Sequence, residues 1–375
     1  MKLIPSDLHA LLWLTLSFGA SLLLTALALA YVRRNKLLDL PGQRRSHTVP
    51  TPRGGGVGIV ACVLLGLLLM PWWDATSAMP LRLIGAIALL AAIGWLDDHR
   101  PLPAWVRLVV QLVAVAIWLA PLLLIALFPP AAQEDRLDTS VSETLSIALL
   151  LAFVALWSIN LHNFMDGIDG LLALQAIFVL VVLGAFGLRE APAAHPLQLG
   201  MWAAAIAGFV PFNFPRARVF MGDVGSGVIG LLIAVAVVWQ TSALEIAAAT
   251  GFVAVSAFLT DASCTLLSRM LSGRRWYRAH REHLYQWMTR AGMSHARVVA
   301  WYMGWNVLLL LPLLWWMNRL PQAGAVPLDG GYGCAAGVYA FAVVVWIGGK
   351  RWCLHRVRTG RRALTRKSGA LHASA

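Results

Sequence analysis

Charge is scarce in this chain. Asp, Glu, Lys and Arg make up 13% of its 375 residues, and 59% are hydrophobic. Soluble domains carry roughly a quarter charged residues, and a soluble apolar core would need long solvated faces that are missing here. An integral membrane protein is expected instead. Cysteine is also scarce: Cys62, Cys264, Cys334 and Cys353 form no paired spacing and no Cys-x-x-Cys. That argues against a disulfide framework and a zinc site. Only Lys2 precedes the first apolar run, and no small-residue cleavage pattern follows it, so a retained first span is expected rather than a cleaved leader. The Gly-Lys-Ser/Thr ending of a Walker A loop is absent, as is the strand–glycine–helix setting of a nicotinamide fingerprint. The net charge of +13 comes without zinc-finger spacing, a recognition-helix pattern or an aromatic RNA-binding motif. No nucleic-acid partner is expected; an anionic lipid surface and a phosphate-rich ligand account for the excess more economically.

What the chain has in quantity is apolar runs. Eleven spans are expected, at 10–31, 55–70, 81–96, 105–127, 145–159, 170–187, 198–212, 227–240, 244–260, 297–316 and 332–349. Several fall short of the roughly 20 residues that a spanning helix prefers. The four-residue link around Gln240 to Leu244 sets the parity of the whole arrangement. With the N-terminus outside, one face holds segments 32–54, 97–107, 160–169, 213–226, 261–297 and 350–375, which carry 25 of the 30 Lys and Arg residues. Excess Lys and Arg in short loops marks the cytoplasmic side, so the C-terminus is expected inside. The expected architecture is all-α: a polytopic membrane bundle over 1–349 and a basic cytoplasmic tail over 350–375.

The compact acidic motifs fall on that same face. Asp97-Asp98 closes the third run. Adjacent carboxylates suit a magnesium site, or a metal ligand beside a proton acceptor, and equally a plain helix end in interfacial water. After the fifth run come Asn160, Asn163, Asp166-Gly167-Ile168-Asp169 and Gly170. Three-residue spacing places Asn160 with Asn163, and Asp166 with Asp169, on one side of a helical turn. The amides suit a base, sugar or phosphate. Asn213, Arg216 and Arg218 lead into Phe220-Met221-Gly222-Asp223-Val224-Gly225-Ser226. There Asp223 is a metal-ligand candidate, and its flanking glycines admit a phosphate close to the backbone. Two basic loops complete the set. One holds Arg44, Arg45, Ser46, His47, Thr51, Pro52 and Arg53; the other runs from Trp276 through His280-Arg281-Glu282-His283. The second is no zinc motif, lacking His-Glu-x-x-His, and its charge favours a diphosphate.

In this order the motifs resemble the polyprenyl-phosphate N-acetylhexosamine-1-phosphate transferase superfamily (glycosyltransferase family 4), from Leu38 to Gln286. The resemblance is to the branch that initiates O-antigen or common-antigen synthesis, since the consecutive histidines of the phospho-N-acetylmuramoyl-pentapeptide branch are absent. It implies transfer of a sugar 1-phosphate from a UDP-N-acetylhexosamine (GlcNAc, FucNAc or QuiNAc) to undecaprenyl phosphate, releasing UMP. The implied cofactor is Mg2+, with Mn2+ as an alternative. By the resemblance, Asp97, Asp98 and Asp223 are catalytic, with Asp223 and Asp98 on the metal. Ser46, His47, Thr51, Arg53, Asn160, Asn163, Asp166, Asp169, Asn213, His280, Arg281 and His283 bind substrate. Relatives with a Lys or Arg further downstream of Asp-Asp differ here, where Arg100 is the nearby cation and Pro101 follows it. Direct attack by the lipid phosphate and a double displacement through Asp97 or Asp98 both fit these residues. A secondary transporter is the rival class, and would place its polar sites nearer the bilayer midplane. A homodimer stays open, because apolar helical faces do not separate lipid from subunit contacts.

Overall fold

The described residues of all eleven apolar runs are largely helical, and alternate loops between them meet at one end of the bundle. The structure, a computed structural model, describes residues 6–35, 38–39, 50–69, 79–128, 141–186, 194–241, 245–275, 280–317, 319 and 329–373. In chain order the helices are α1 (Ser6–Arg34), α2 (Gly56–Leu69), α3 (Met79–His99), α4 (Ala104–Trp118), α5 (Ala120–Leu127), α6 (Val141–Met165), α7 (Leu171–Phe186) and α8 (Ala194–Asn213). Then follow α9 (Asp223–Thr241), α10 (Glu245–Ala254), α11 (Ser256–Leu271), α12 (Leu284–Arg290), α13 (His295–Gly304), a π-helical turn (Trp305–Leu310), α14 (Leu311–Met317) and α15 (Asp329–Ala373). A two-residue antiparallel ladder, β1 (Leu38–Asp39) with β2 (Thr51–Pro52), is the small departure from all-α.

Among the described residues five helices are long and apolar enough to cross a membrane, and the bent pair α4–α5 makes a sixth. The chain is a multi-pass membrane protein. Leu8, Leu11, Leu16, Leu23 and Leu27 of α1 and Leu149, Leu150 and Phe153 of α6 face outward, a surface that hydrocarbon solvates and water does not. Helix α9 is the axis of the bundle. Its residues Val228, Ile229, Leu231, Leu232, Ile233, Val235 and Ala236 are all buried, with α2, α3, α6, α7 and α10 around it. Lipid gives no hydrophobic drive between helices, so close packing has to come from small residues. At Gly94 a Cβ would sit 2.6 Å from the backbone of Asp223 and Val224, so α3 meets the start of α9 only through glycine.

Several boundaries differ from expectation, among them the end of α6, which continues past 159 to Met165 and takes in Asn160 and Asn163. The fourth run breaks by 77° between α4 and α5, where Pro121 removes a helical donor. Helix α9 starts at Asp223 rather than 227. The ninth run breaks at Val255 and then continues as α11 to Leu271, well beyond 260. Helix α15 passes through 349–350 without a break, so the basic tail begins as an extension of the last apolar run.

Candidate active site

The site is assembled around the first turn of α9. The opening N–H groups of a helix have no partners within it and favour a carboxylate. Asp98, at the end of α3 with its side chain only 3% exposed, accepts from the N–H groups of Asp223 at 2.9 Å and Val224 at 3.3 Å. This cap explains why the helix starts four residues early. Gly222 makes the approach feasible: its φ is +79°, and any Cβ there would run into the Asp98 carboxylate.

A second contact brings in the basic loop. The N–H of Phe220 donates to Pro52 O at 2.8 Å, while Gly54 and Gly55 both donate to Phe220 O. Arg53 is thereby held between two acids, its Nε 2.8 Å from Asp98 Oδ1 and its Nη2 2.6 Å from Asp223 Oδ1. Burial works against the Arg53 charge, but Asp98, Asp223, Asp166 and Asp97 outweigh it and raise its pKa. Asp97 accepts from Leu102 N at 2.7 Å and from Arg107 Nη1 at 2.9 Å; the same Nη1 lies 3.4 Å from Asp223 Oδ2.

The Asn160–Gly170 segment forms the third wall. Asp166 lies in the field of Arg53, Asp223, Asp98 and Asp169; burial first, and then those acids, push its carboxyl up to about 7 against the pull of Arg53. Asn163 donates to Ser226 Oγ at 3.0 Å, and Asn160 to Gln111 Oε1 at 2.9 Å. Asp169 Oδ2 accepts from Ala217 N at 3.2 Å and sits 3.2 Å from His295 Nδ1. Asn213 is buried and uses both ends of its amide within the protein, on Gly170 N at 2.8 Å and Val219 O at 3.0 Å. It joins the second and third motifs. Thr51 is buried in β2, while Ser46, His47 and the 276–279 stretch lie outside the described residues.

The His280–Gln286 loop closes on this wall. Tyr285 Oη donates to Phe164 O at 2.9 Å, and a Cβ on Gly167 would collide with that hydroxyl. Glu282 pairs with Arg269 and, at 2.8 Å, with Arg274, which occupies the acid that a zinc reading would have needed. The His280 and His283 rings lie 5.0 Å apart, tilted by 31°, and each buries an Nδ1 with no hydrogen-bond partner among the described residues. Burial, then His283 and Arg269, hold His280 down to about 4. His283 is lowered too, by burial, with Lys350 and Arg269 reinforcing it and Asp261 opposing. Both rings are neutral at pH 7, donors or acceptors rather than cations.

Among the described residues no three carboxylate, imidazole or thiol groups close around a point able to seat a metal ion. Arg53 and Arg107 stand between the acids instead. The donor set still suits a hard divalent ion, being carboxylate oxygen throughout. Among the described residues, Asp97, Asp98 and Asp223 pair with those two guanidinium groups, and Asp166 is raised by burial first and by the neighbouring acids after it.

Arg107, Gln111 and His295 were not foreseen. The cation beside Asp97 is Arg107, whereas Arg100 is exposed. The usable signal was Pro101-x-Pro103, which turns the chain so that the first turn of α4 comes back over the end of α3. His295 carried no signal, because only tertiary packing brings α13 to Asp169.

The chain has relatives among known proteins. A family model described as glycosyl transferase family 4 matches residues 80–241. The decaprenyl-phosphate N-acetylglucosaminephosphotransferase of Mycobacterium tuberculosis is 30% identical over 293 residues, 69% of this chain and 70% of that protein. The phospho-N-acetylmuramoyl-pentapeptide-transferase of Mycolicibacterium smegmatis is 30% identical over 61% of this chain and 74% of its own length. A probable undecaprenyl-phosphate N-acetylglucosaminyl 1-phosphate transferase of Bacillus subtilis is 24% identical over 75% of this chain and 79% of its own. With identity sustained across more than two thirds of such relatives, and the matched region running from α3 to α9, the chain belongs to glycosyl transferase family 4.

Proposed function

We propose that this protein transfers an N-acetylhexosamine 1-phosphate from a UDP-sugar to a polyprenyl phosphate, undecaprenyl phosphate in a bacterial inner membrane. The products are the polyprenyl-diphosphate sugar and UMP, the first lipid-linked step of O-antigen or related envelope polysaccharide synthesis. One observation carries the reading: carboxylates and guanidinium groups from α3, α4, α9 and the residue after β2 converge at the ends of apolar helices. A membrane-bound phosphate and a water-soluble nucleotide can meet there. A transporter would call for polar sites nearer mid-span.

In this reading an oxygen of the lipid phosphate bonds to the sugar-bearing phosphorus, the bridging P–O bond to UMP breaks, and UMP leaves with that electron pair. The lipid phosphate is already ionised near neutrality, so no tightly held proton has to be removed. Phosphoryl transfer then depends on positioning and on charge stabilisation. Arg53 and Arg107 exchange carboxylate partners for phosphate oxygens, and Asp97 orients the acceptor. Asn163, Asp166 and Asp169 hold the donor, and the neutral His280 and His283 turn their unpartnered Nδ1 atoms to the diphosphate beside Arg281. Asp223 and Asp98 would hold Mg2+, which when bound neutralises diphosphate charge. The charge partition supports eleven spans, an outside N-terminus and a site on the cytoplasmic face.

The test is purified protein incubated with undecaprenyl phosphate, Mg2+ and UDP-GlcNAc, UDP-FucNAc or UDP-QuiNAc in turn, with lipid product and UMP both measured. Equal amounts of the two from one donor are expected. UMP without a lipid product, or neither from any donor, refutes the reading.

A further inference from the structure

Asp261 lies outside the acidic cluster, in α11, and is 2% exposed. A buried carboxylate is costly unless its lone pairs are filled. Five groups from four helices fill them here. Oδ1 accepts from Leu284 N at 2.7 Å, Trp346 Nε1 at 3.0 Å and Thr265 Oγ1 at 3.2 Å. Oδ2 accepts from Tyr302 Oη at 2.7 Å and Tyr285 N at 3.4 Å. Leu284 and Tyr285 open α12, directly after His283. Tyr285 in turn is fully buried and fixes Phe164 and Gly167, one or two residues from Asp166. The carboxylate therefore sits at a junction: the histidine loop and the Asp166 turn are held in register through α12, and α13 and α15 anchor the other side.

We propose that Asp261 is a positioning residue for the nucleotide-diphosphate half of the site, and that α15 takes part in that site through Trp346. The proposal rests on the transferase reading above and deepens it. Asp261 touches neither substrate; it sets where His280 and His283 stand relative to Asp166. The acceptor half, built from Arg53, Asp97, Arg107 and Asp98, is held by contacts that do not pass through it. The effect should thus fall on one substrate. Helix α15 lies beyond the matched segment 80–241, which gives this last helix a part in the chemistry that its apolar composition does not disclose.

Asp261→Asn keeps the size but turns a donor toward N–H or O–H groups that need an acceptor. Trp346→Phe keeps the ring and removes a single hydrogen bond. In the full-length purified enzyme, Asp261→Asn is expected to raise the KM for the UDP-sugar about tenfold and leave that for undecaprenyl phosphate within about twofold. Trp346→Phe should shift the same constant, in the same direction, by about threefold. Amide exchange should quicken in 280–290 and 163–170 and stay as in wild type in α1 and α2. If Asp261→Asn does not fold, Trp346→Phe and Tyr302→Phe decide the matter by the same split. A wild type that forms no lipid product sinks the transferase reading and this role with it. A wild type that turns over, with variants whose donor KM is unchanged or whose two KM values rise together, overturns the positioning role alone.

Discussion

At the scale of single residues the site is a matter of compensated charge. Asp223 is expected to be the most sensitive position, because its carboxylate answers both arginines and sits among the proposed metal ligands. Asp223→Asn should cut turnover by about a hundredfold or more across a full Mg2+ titration, with expression and topology intact; near-normal rates at any Mg2+ level would remove it from the metal. Arg107→Gln tests the unforeseen cation. It leaves Asp97 without its charged partner and should lower kcat/KM by about a hundredfold, whereas Arg100→Gln, at an exposed position, should stay within about twofold. The histidines make a different prediction. Because burial keeps His280 near 4, protonation of that ring should add nothing to donor binding between pH 8 and pH 6. Any change of donor KM over that range, which Asp166 near 7 can cause, should be the same within about twofold in the wild type and in His280→Gln. A tenfold tightening toward pH 6 that His280→Gln abolishes would mean that protonated His280 holds the diphosphate. Which acids and which arginine the fold gathers was largely legible, since Asp97, Asp98, Asp166, Asp223 and Arg53 lie in short ordered motifs. Their partners were not. Arg107 reads as an ordinary first-turn cation until the Pro101–Pro103 turn is folded, and Asn213 reads as a ligand-facing amide until Gly170 and Val219 claim it.

At the scale of elements, periodicity found the helices but not their ends. An apolar count stops at the last hydrophobic residue, while the real limits are set by caps and breaks. Asp98 starts α9 at Asp223, Pro121 bends the fourth run, and α11 runs on past 260 to Leu271, with Arg269 in its last turn paired to Glu282. The junction between α3 and α9 is the most exacting of these contacts. A side chain at Gly94 meets backbone atoms, which cannot rotate away, so α3 would have to withdraw from the first turn of α9. Gly94→Val should cost about 1–3 kcal/mol of stability, measured as a lower melting temperature in detergent. It should also lower kcat disproportionately, by separating Asp97 and Asp98 from Asp223. Unchanged kcat alongside a lowered melting temperature would show that the acids do not depend on this contact for their alignment.

At the scale of the whole molecule, two independent lines converge. The charge partition assigned segments 32–54, 97–107, 160–169, 213–226 and 261–297 to one face without any knowledge of contacts. The folded chain joins them there: Arg53 to Asp223, Asp97 to Arg107, Gly170 to Asn213, and Tyr285 to Phe164. Merging the runs around Gln240 would assign the histidine loop to the face opposite Asp166, whereas in the folded chain Tyr285 of that loop bonds to Phe164 O beside Asp166. Contacts establish a shared end; the proposal that this end is cytoplasmic rests on the Lys and Arg excess in those segments. Single cysteines placed in a cysteine-free background at Arg218 and Arg274, both exposed in the structure, should react with a membrane-impermeant maleimide only after the cells are opened. A cysteine at Arg136, in a segment assigned to the other face, should react in intact cells. The reverse pattern would invert the protein and place its acids on the side where no UDP-sugar is made. Labelling of all three from outside would break the alternation itself, and the eleven-span reading with it.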